Sequence, residues 1–328
     1  MSKPGSMRLL FSVLRDAGYE WQPQTPDRLL TFRKDPSAFR PLVKLLGLGL
    51  PVSKDELIGD GLGDVVIKTV LADEFIRDAS GDAGASTNPS PTYKSTMAVS
   101  GAGDVHIVHD HWPPDQERSG GYVHYAAESA WFARALNRDL EGFIGKRVLD
   151  LGCSSGALCF EVAGVADVVL GLDVSERSIS WARTNAAALG FKNIRFEMAA
   201  IGEPAAETAA TGHAFDIVIM NPPMVVPSKD AAYVHRDGGK LGVELPLLFL
   251  DFSWRHLREG GEVLMLATNP IVNGIGVFFD RLDRQRWDFV EKRCVHSHFN
   301  QAVARKQGYA EQGIERIELW FLHLKKNA

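Results

Sequence analysis

Val148–Leu158 reads VLDLGCSSGAL. Its first half is the apolar run of a strand buried on both faces, broken by one carboxylate, Asp150. Its second half, Gly152-x-Ser154-x-Gly156, holds small residues that let a backbone turn tightly and lie against a ligand, with the amides of the next helix aimed at it. A plain strand-to-helix turn uses similar residues. The spacing is not the G-x-G-x-x-G of dinucleotide enzymes, which argues against a dehydrogenase.

Outward from this stretch, strands and helices alternate. Expected strands are Arg147–Leu151, Asp167–Leu172, Asn193–Met198, Phe215–Met220 and Glu262–Ala267, with two more near Trp287–Val295 and Ile314–Leu324. Expected helices are Ala157–Val165, Glu176–Leu189, Val243–Arg258 and Ile271–Arg284. Alternation of this kind gives an α/β, doubly wound, mostly parallel sheet whose ligands sit at the carboxyl ends of the strands. Two further features fall at such ends. Asp173, just over 20 residues after Asp150, closes a strand in VVLGLDVSERSI, where a carboxylate can accept both hydroxyls of a ribose or cap the next helix. The run FDIVIM ends abruptly at Asn221-Pro222-Pro223, and the two prolines end the strand ladder and stiffen the exit loop.

Before this region, Ala79–Pro91 (ASGDAGASTNPSP) reads as a loop. Residues 1–111 read as a small unit of helices (within Met7–Gly18, Pro36–Gly49 and Leu62–Ile76) closed by a hairpin around Ser100–Gly103, a winged-helix-like arrangement. It would serve as a substrate-recruiting appendage or as a structural cap. Residues 112–328 would form the second domain. The chain has 328 residues, net charge −5 and 45% hydrophobic residues, with no apolar run long enough to span a bilayer. Membrane insertion is not expected, and the charge disfavours a large nucleic-acid footprint, DNA above all. With no signal-peptide pattern at its start and three cysteines lacking a C-x-x-C, the chain is expected in the cytoplasm. His106, His109, Asp110 and His111 form no familiar metal-ligand spacing, so no metal is expected.

DLGCSSG, then LDVS, then NPP after a buried strand resembles, in order and spacing, the class I S-adenosylmethionine-dependent methyltransferases, over roughly Gly120–Ala328. The resemblance implies a seven-stranded Rossmann-like sheet and S-adenosyl-L-methionine as cofactor. By the same resemblance Asp150, Gly152, Ser154 and Gly156 line the methionine moiety, and Asp173 with Val174 holds the nucleoside. Tyr122, Tyr125 and Ser129 belong to a segment that closes over the cofactor. In the N-methyltransferases of this class the Asn-Pro-Pro loop grips a planar NH₂: the Asn221 side chain, which also borders the cofactor, and the Pro222 carbonyl would each accept a hydrogen bond, with Pro223 and Met224 beside the acceptor.

Asp237-Gly238-Gly239, Gly242 and Gly260-Gly261 resemble the "methyltransferase small" grouping, which includes release-factor glutamine N5-methyltransferases and rRNA guanine N2-methyltransferases; His235 and Arg236 then fall on the substrate side. The acceptor would be a protein glutamine, a small metabolite or an RNA base. Two positions depart from the pattern: Met224 replaces an aromatic, and Ala199-Ala200 stand where an acid usually binds the adenine amine, leaving Glu197, Glu203 or a backbone carbonyl for that role. The alternatives are O- or C-methylation of a small molecule with His235 as base, or a cofactor-binding partner subunit without catalysis.

Overall fold

The computed structural model describes residues 4–82, 90–102, 105–111, 123, 125–212, 214–225, 238–239, 241–299, 309 and 313–327. Its contacts divide the chain into two compact units, one of Met1–Arg138 with Ser154–Glu161 and Arg177–Lys192, the other of Asp139–Cys153, Val162–Glu176 and Asn193–Ala328.

In the first unit, α1 (Pro4–Asp16) buries Met7, Leu10, Phe11 and Leu14, the i, i+3, i+4, i+7 stripe of one helix face. It is followed by α2 (Pro26–Lys34), β1 (Val52–Ser53), α3 (Lys54–Gly59) and α4 (Asp64–Ala72), then β2 (Ile76–Asp78), β3 (Thr92–Ser95), β4 (Ala98–Ala102), β5 (Val105–His109) and α5 (Ala127–Asn137). A reciprocal Ser53–Glu56 capping box starts α3. β3 pairs antiparallel with both β1 and β2, and β4 pairs with β5 as a hairpin. The expected helix over Pro36–Gly49 is instead a short π-helical turn at Val43–Gly47, where the Leu48 N–H reaches back five residues to the Val43 carbonyl. Trp21 explains the need for glycine at its end: a Cβ on Gly47 would lie 2.8 Å from the indole. The core of this unit extends to Ala188, with Trp181 and Leu189 packed against it, all from the helix α7 (Glu176–Leu189).

The second unit carries the main sheet. Its strands are β6 (Arg147–Leu151), β7 (Val168–Asp173), β8 (Ile194–Met198), β9 (Phe215–Met220), β10 (Leu257–Val272), β11 (Ile275–Gly276), β12 (Trp287–His296) and β13 (Ile314–Lys326), and its helices α8 (Pro204–Ala210), α9 (Glu244–His256) and α10 (Val277–Arg281); α6 (Ala157–Ala163) starts in the first unit and ends in this one. Seven strands lie in the order β12-β13-β10-β9-β6-β7-β8, and β11 pairs with β10 as an eighth. β8, β7, β6, β9 and β10 run parallel, while β13 is antiparallel to both its neighbours. The chain leaves β6 toward β7 on one side and returns at β9 on the other, so β6/β9 is the point where strand order reverses and ligands bind in open α/β sheets. Phe249, Leu250 and Phe252 of α9, Ala206 and Ala210 of α8, and Phe278 of α10 close a core with Leu149, Leu151, Val218, Met220, Val263 and Met265.

The expected helix at Ile271–Arg284 is corrected. Asn273 and Gly274 both have positive φ (50° and 74°) and turn β10 into the two-residue β11, leaving only Val277–Arg281 helical. Two successive left-handed residues, Asn-Gly, are the signature of a tight hairpin turn. The strand expected at Glu262–Ala267 is also longer, because its far end pairs with β13 as far as Val272.

Candidate active site

Three features emerge side by side from neighbouring strands of the second unit. Leu151 pairs with Met220 and Leu172, so Gly152 and Asn221 are the next residues out of β6 and β9, and Asp173 is the last residue of β7. Asp150 is fully buried in the central strand, between Gly171 and Ile219 in register. The turn after β6 is built by left-handed backbone at Gly152 (φ 75°), Ser154 (φ 48°) and Gly156 (φ 89°). A serine in that region is a strained choice of the kind that clusters at functional loops. The N–H groups of Gly152 and Cys153 both donate to the Leu172 carbonyl, which pins the turn to β7. Gly171 makes this possible, because a Cβ there would meet the Phe196 ring at 2.6 Å and Cys153 at 3.0 Å. Burial first, then the charges of Asp173 and Asp150, push the Cys153 thiol well above its ordinary pKa, so it stays protonated and is no nucleophile.

One oxygen of Asp173 accepts from the Ser175 N–H at 2.8 Å, which orients the carboxylate at the strand end. Val174 is 50% exposed and Met198, paired with Asp173 on β8, is 56% exposed. Two large apolar side chains left open at adjoining strand ends suit a flat apolar ligand face such as a purine. Ala199 is buried and its N–H donates to the Asp173 carbonyl; the Ala200 carbonyl accepts from the Glu203 N–H. Glu197 lies by Arg195, 3.5 Å away.

After β9 the chain runs Asn221-Pro222-Pro223-Met224-Val225. Pro222 and Met224 are buried, and Asn221 and Pro223 are half-buried. The loop is held by its backbone. The Thr268 hydroxyl donates to the Met224 carbonyl at 3.0 Å, and the Gly238 N–H donates to the Val225 carbonyl at 3.0 Å. A Cβ on Gly238 would stand 2.7 Å from the Met224 Cα, and one on Gly242 2.6 Å from the Met224 carbonyl oxygen. Gly238 and Gly242, two of the glycines singled out in the sequence, thus lie directly against the backbone of the Asn-Pro-Pro-Met loop. Glu244, at the start of α9, accepts from the Leu241 N–H at 3.2 Å and pairs with Arg281.

Of the remaining expected site residues, Ser129 lies half-buried on α5, and Tyr125 is buried in the first unit, its hydroxyl 3.4 Å from the Gly101 carbonyl and its ring edge-on to His109. Tyr122, His235 and Arg236 lie outside the described residues. Sequence reading missed Thr268, which nothing in ATNP marks as a loop anchor. It also missed Phe249, 3.6 Å from where a Cβ on Gly152 would stand.

Residues 144–269 match the family model of a methyltransferase domain. A ubiquinone biosynthesis O-methyltransferase of Sinorhizobium fredii is 43% identical over 134 residues, covering 39% of this chain and 49% of that protein. The rRNA N(6)-adenosine-methyltransferase metl-5 of Caenorhabditis elegans is 24% identical over 189 residues, covering 56% of this chain and 78% of that one. Among solved structures, Trm5b from Pyrococcus abyssi is 12% identical, covers 71% of this chain and 56% of its own, and has a TM-score of 0.46. The chain spans less than half the length of the ubiquinone biosynthesis relatives, 28% of the one from Sinorhizobium medicae. Residues 144–269 therefore resemble a methyltransferase domain. No described helix is long and apolar enough to cross a membrane.

Proposed function

We propose that the protein is an S-adenosylmethionine-dependent N-methyltransferase acting on a planar amide or exocyclic amine. The observation that carries this is Asn221-Pro222 at the carboxyl end of β9, next to the glycine turn of β6. The cofactor supplies an electrophilic methyl group on a sulfonium. Asp173 would hold its ribose, Asp150 and the Gly152–Gly156 turn its methionine end, and Val174 with Met198 the adenine face. The carboxylate acceptors, the glycine turn and the exposed apolar side chains of Val174 and Met198 fit such a ligand.

The protein's part on the acceptor side is positioning. A conjugated NH₂ is a poor nucleophile because its lone pair is delocalised into the neighbouring π system. The Asn221 amide oxygen and the Pro222 carbonyl would accept its two hydrogens, which would favour pyramidal nitrogen and free its lone pair to act as the nucleophile. Two prolines, the Thr268 hydroxyl and the Gly238–Gly242 segment keep these acceptors from relaxing, so the contribution is preorganised electrostatics and orientation. The surplus proton, acidic once the nitrogen carries the methyl group, would pass to solvent water.

Among acceptors, an RNA base amine is the first to test, because a relative matched over 189 residues is an rRNA N(6)-adenosine-methyltransferase; a protein glutamine and a small metabolite remain in the same chemical class. The O-methyltransferase relatives favour oxygen as a second reading. The test is transfer of labelled methyl from the cofactor to total RNA, protein and metabolite pools of cells lacking the gene, with the product position assigned by mass spectrometry and NMR. Methyl on nitrogen is expected. Methyl on oxygen or carbon, or cofactor binding with no transfer to any pool, overturns the reading.

A further inference from the structure

The first unit contains two buried polar bridges that join the N-terminal hairpin to the chain around the cofactor loops. The amide of Asn185, on α7, has no exposed surface. Its Oδ1 accepts from the Val108 N–H at 3.0 Å, and its Nδ2 donates to the Val108 carbonyl at 3.2 Å and to the Ser155 carbonyl at 3.1 Å. Val108 lies on β5, and Ser155 stands between the two left-handed residues, Ser154 and Gly156, of the glycine turn. One side chain therefore copies a strand partner for β5 and clamps the turn with the same amide group.

The second bridge starts two residues along from Val108. Asp110, 2% exposed, accepts from Arg177 at 3.0 and 2.5 Å through both its oxygens and from the Val123 N–H at 2.9 Å, while its own N–H donates to the Val123 carbonyl. Arg177 is in the first turn of α7, four residues after Asp173. Val123 lies two residues before Tyr125, in the segment that would close over the cofactor. A paired arginine–carboxylate with all these partners is a rigid joint; a buried carboxylate deprived of its arginine would be costly.

We infer that Asn185 and Asp110 are positioning residues through which the N-terminal hairpin sets cofactor affinity, so that residues 1–111 belong to the working cofactor site as well as to any acceptor recruitment. This rests on the reading of the Gly152–Gly156 turn as the cofactor cradle. Neither residue touches the cofactor; each fixes backbone that does.

The experiment uses the full chain and S-adenosylhomocysteine as the titrated probe. Asn185→Leu removes the amide at similar volume, and Asp110→Asn removes the charge that Arg177 pairs with. Each is expected to weaken binding by about tenfold or more, the loss of one to two buried hydrogen bonds. Hydrogen exchange of the Gly152–Leu158 peptide should quicken in Asn185→Leu. Val70→Ala, a core change in the same unit, is the control: it lowers Tm and leaves both affinity and exchange of that peptide unchanged. If Asn185→Leu does not fold, Asp110→Asn decides the matter alone. Unchanged affinity in a folded Asp110→Asn protein, or a loss in Val70→Ala that matches its fall in Tm, overturns the inference. Absence of binding by the unaltered chain would instead strike the cofactor reading itself.

Discussion

The hydroxyl of Thr268, on a side chain only 1% exposed, donates to the carbonyl of Met224 from the neighbouring strand β10. Strand β10 outruns β9: Met265 is the last residue paired with it, at Met220, and the next turn of pleat carries Thr268 past the end of β9 to the loop. The Asn-Pro-Pro-Met loop is thus anchored by a strand that was built longer than its neighbour. Gly242 closes the other side of the same carbonyl. Asn221 and Pro222, the residues proposed to grip the acceptor, sit three and two positions upstream of this anchor.

Thr268→Val keeps the shape and removes the hydroxyl, leaving a buried carbonyl unsatisfied at a cost of about 1–3 kcal/mol. Methyl transfer at saturating cofactor should fall by about tenfold, with affinity for S-adenosylhomocysteine unchanged and Thr268→Ser close to the parent. Equal loss in the serine and valine variants, read as kcat on the acceptor found by the labelling experiment, would show that the hydroxyl is not the anchor.

Asp173 gives a cofactor-side prediction. One of its oxygens already accepts from Ser175, so the carboxylate is oriented before any ligand arrives. Asp173→Ala should weaken S-adenosylhomocysteine binding by about 10–100-fold, as expected for a charge-assisted hydrogen bond of roughly 1.5–3 kcal/mol. Titration calorimetry on a folded variant that binds as the parent does would leave Asp173 with the turn alone.

The hairpin β4–β5 carries a pH dependence of stability. The His109 Nδ1 faces the Asp110 carbonyl, which can only accept, so Nδ1 bears the proton and Nε2 accepts from the Ser100 hydroxyl at 2.8 Å. Burial lowers this histidine to about 4, and His111 beside it to about 3. Below the ordinary value of about 6.5 the unfolded chain takes up protons that the folded chain refuses. Stability should therefore be full above pH 7 and decline as pH falls from about 6.5 toward 4. A Tm lower by roughly 5 °C at pH 5 than at pH 7 is expected, with a flatter profile in His109→Gln, both by calorimetry. A Tm that rises toward pH 5 would contradict the buried neutral state.

Which parts of this were legible in the sequence follows from the physics of each signal. Buried parallel strands announce themselves as apolar runs, so VLDL, VVLGLD and FDIVIM gave away β6, β7 and β9 and the motifs that end them. Ile271–Arg284 misled because apolar residues at helical spacing masked an Asn-Gly turn, whose two left-handed residues outweigh periodicity. Asn185 and Thr268 were invisible for another reason. Each is a single polar side chain whose meaning lies in backbone groups 30 to 77 residues away, and no local pattern encodes that pairing. Gly238 and Gly242 were noticed, but only the structure shows that they lie against the Met224 backbone.

Asn221 carries the sharpest test of the chemistry. It is the first residue beyond β9, held between a buried strand and two prolines, one step from the cofactor turn. If its amide oxygen accepts from the target NH₂, Asn221→Ala should lower kcat by about 10²–10³ at saturating cofactor, the usual loss for one preorganised polar contact. Affinity for S-adenosylhomocysteine should change little by comparison, because the contact is made to the acceptor. Asn221→Asp should retain part of the activity, since a carboxylate oxygen also accepts. Thr268→Val, which disturbs the loop from behind, should be milder than Asn221→Ala and should add little to it in the double variant, because both act on one contact. An oxygen acceptor would behave differently: a hydroxyl needs its proton removed, and an amide is no base, so Asn221→Ala would then cost little. Rates for the two single variants and the double, measured on one acceptor with the methyl position assigned, separate these outcomes. A kcat in Asn221→Ala within a few-fold of the parent would rule out the grip on nitrogen.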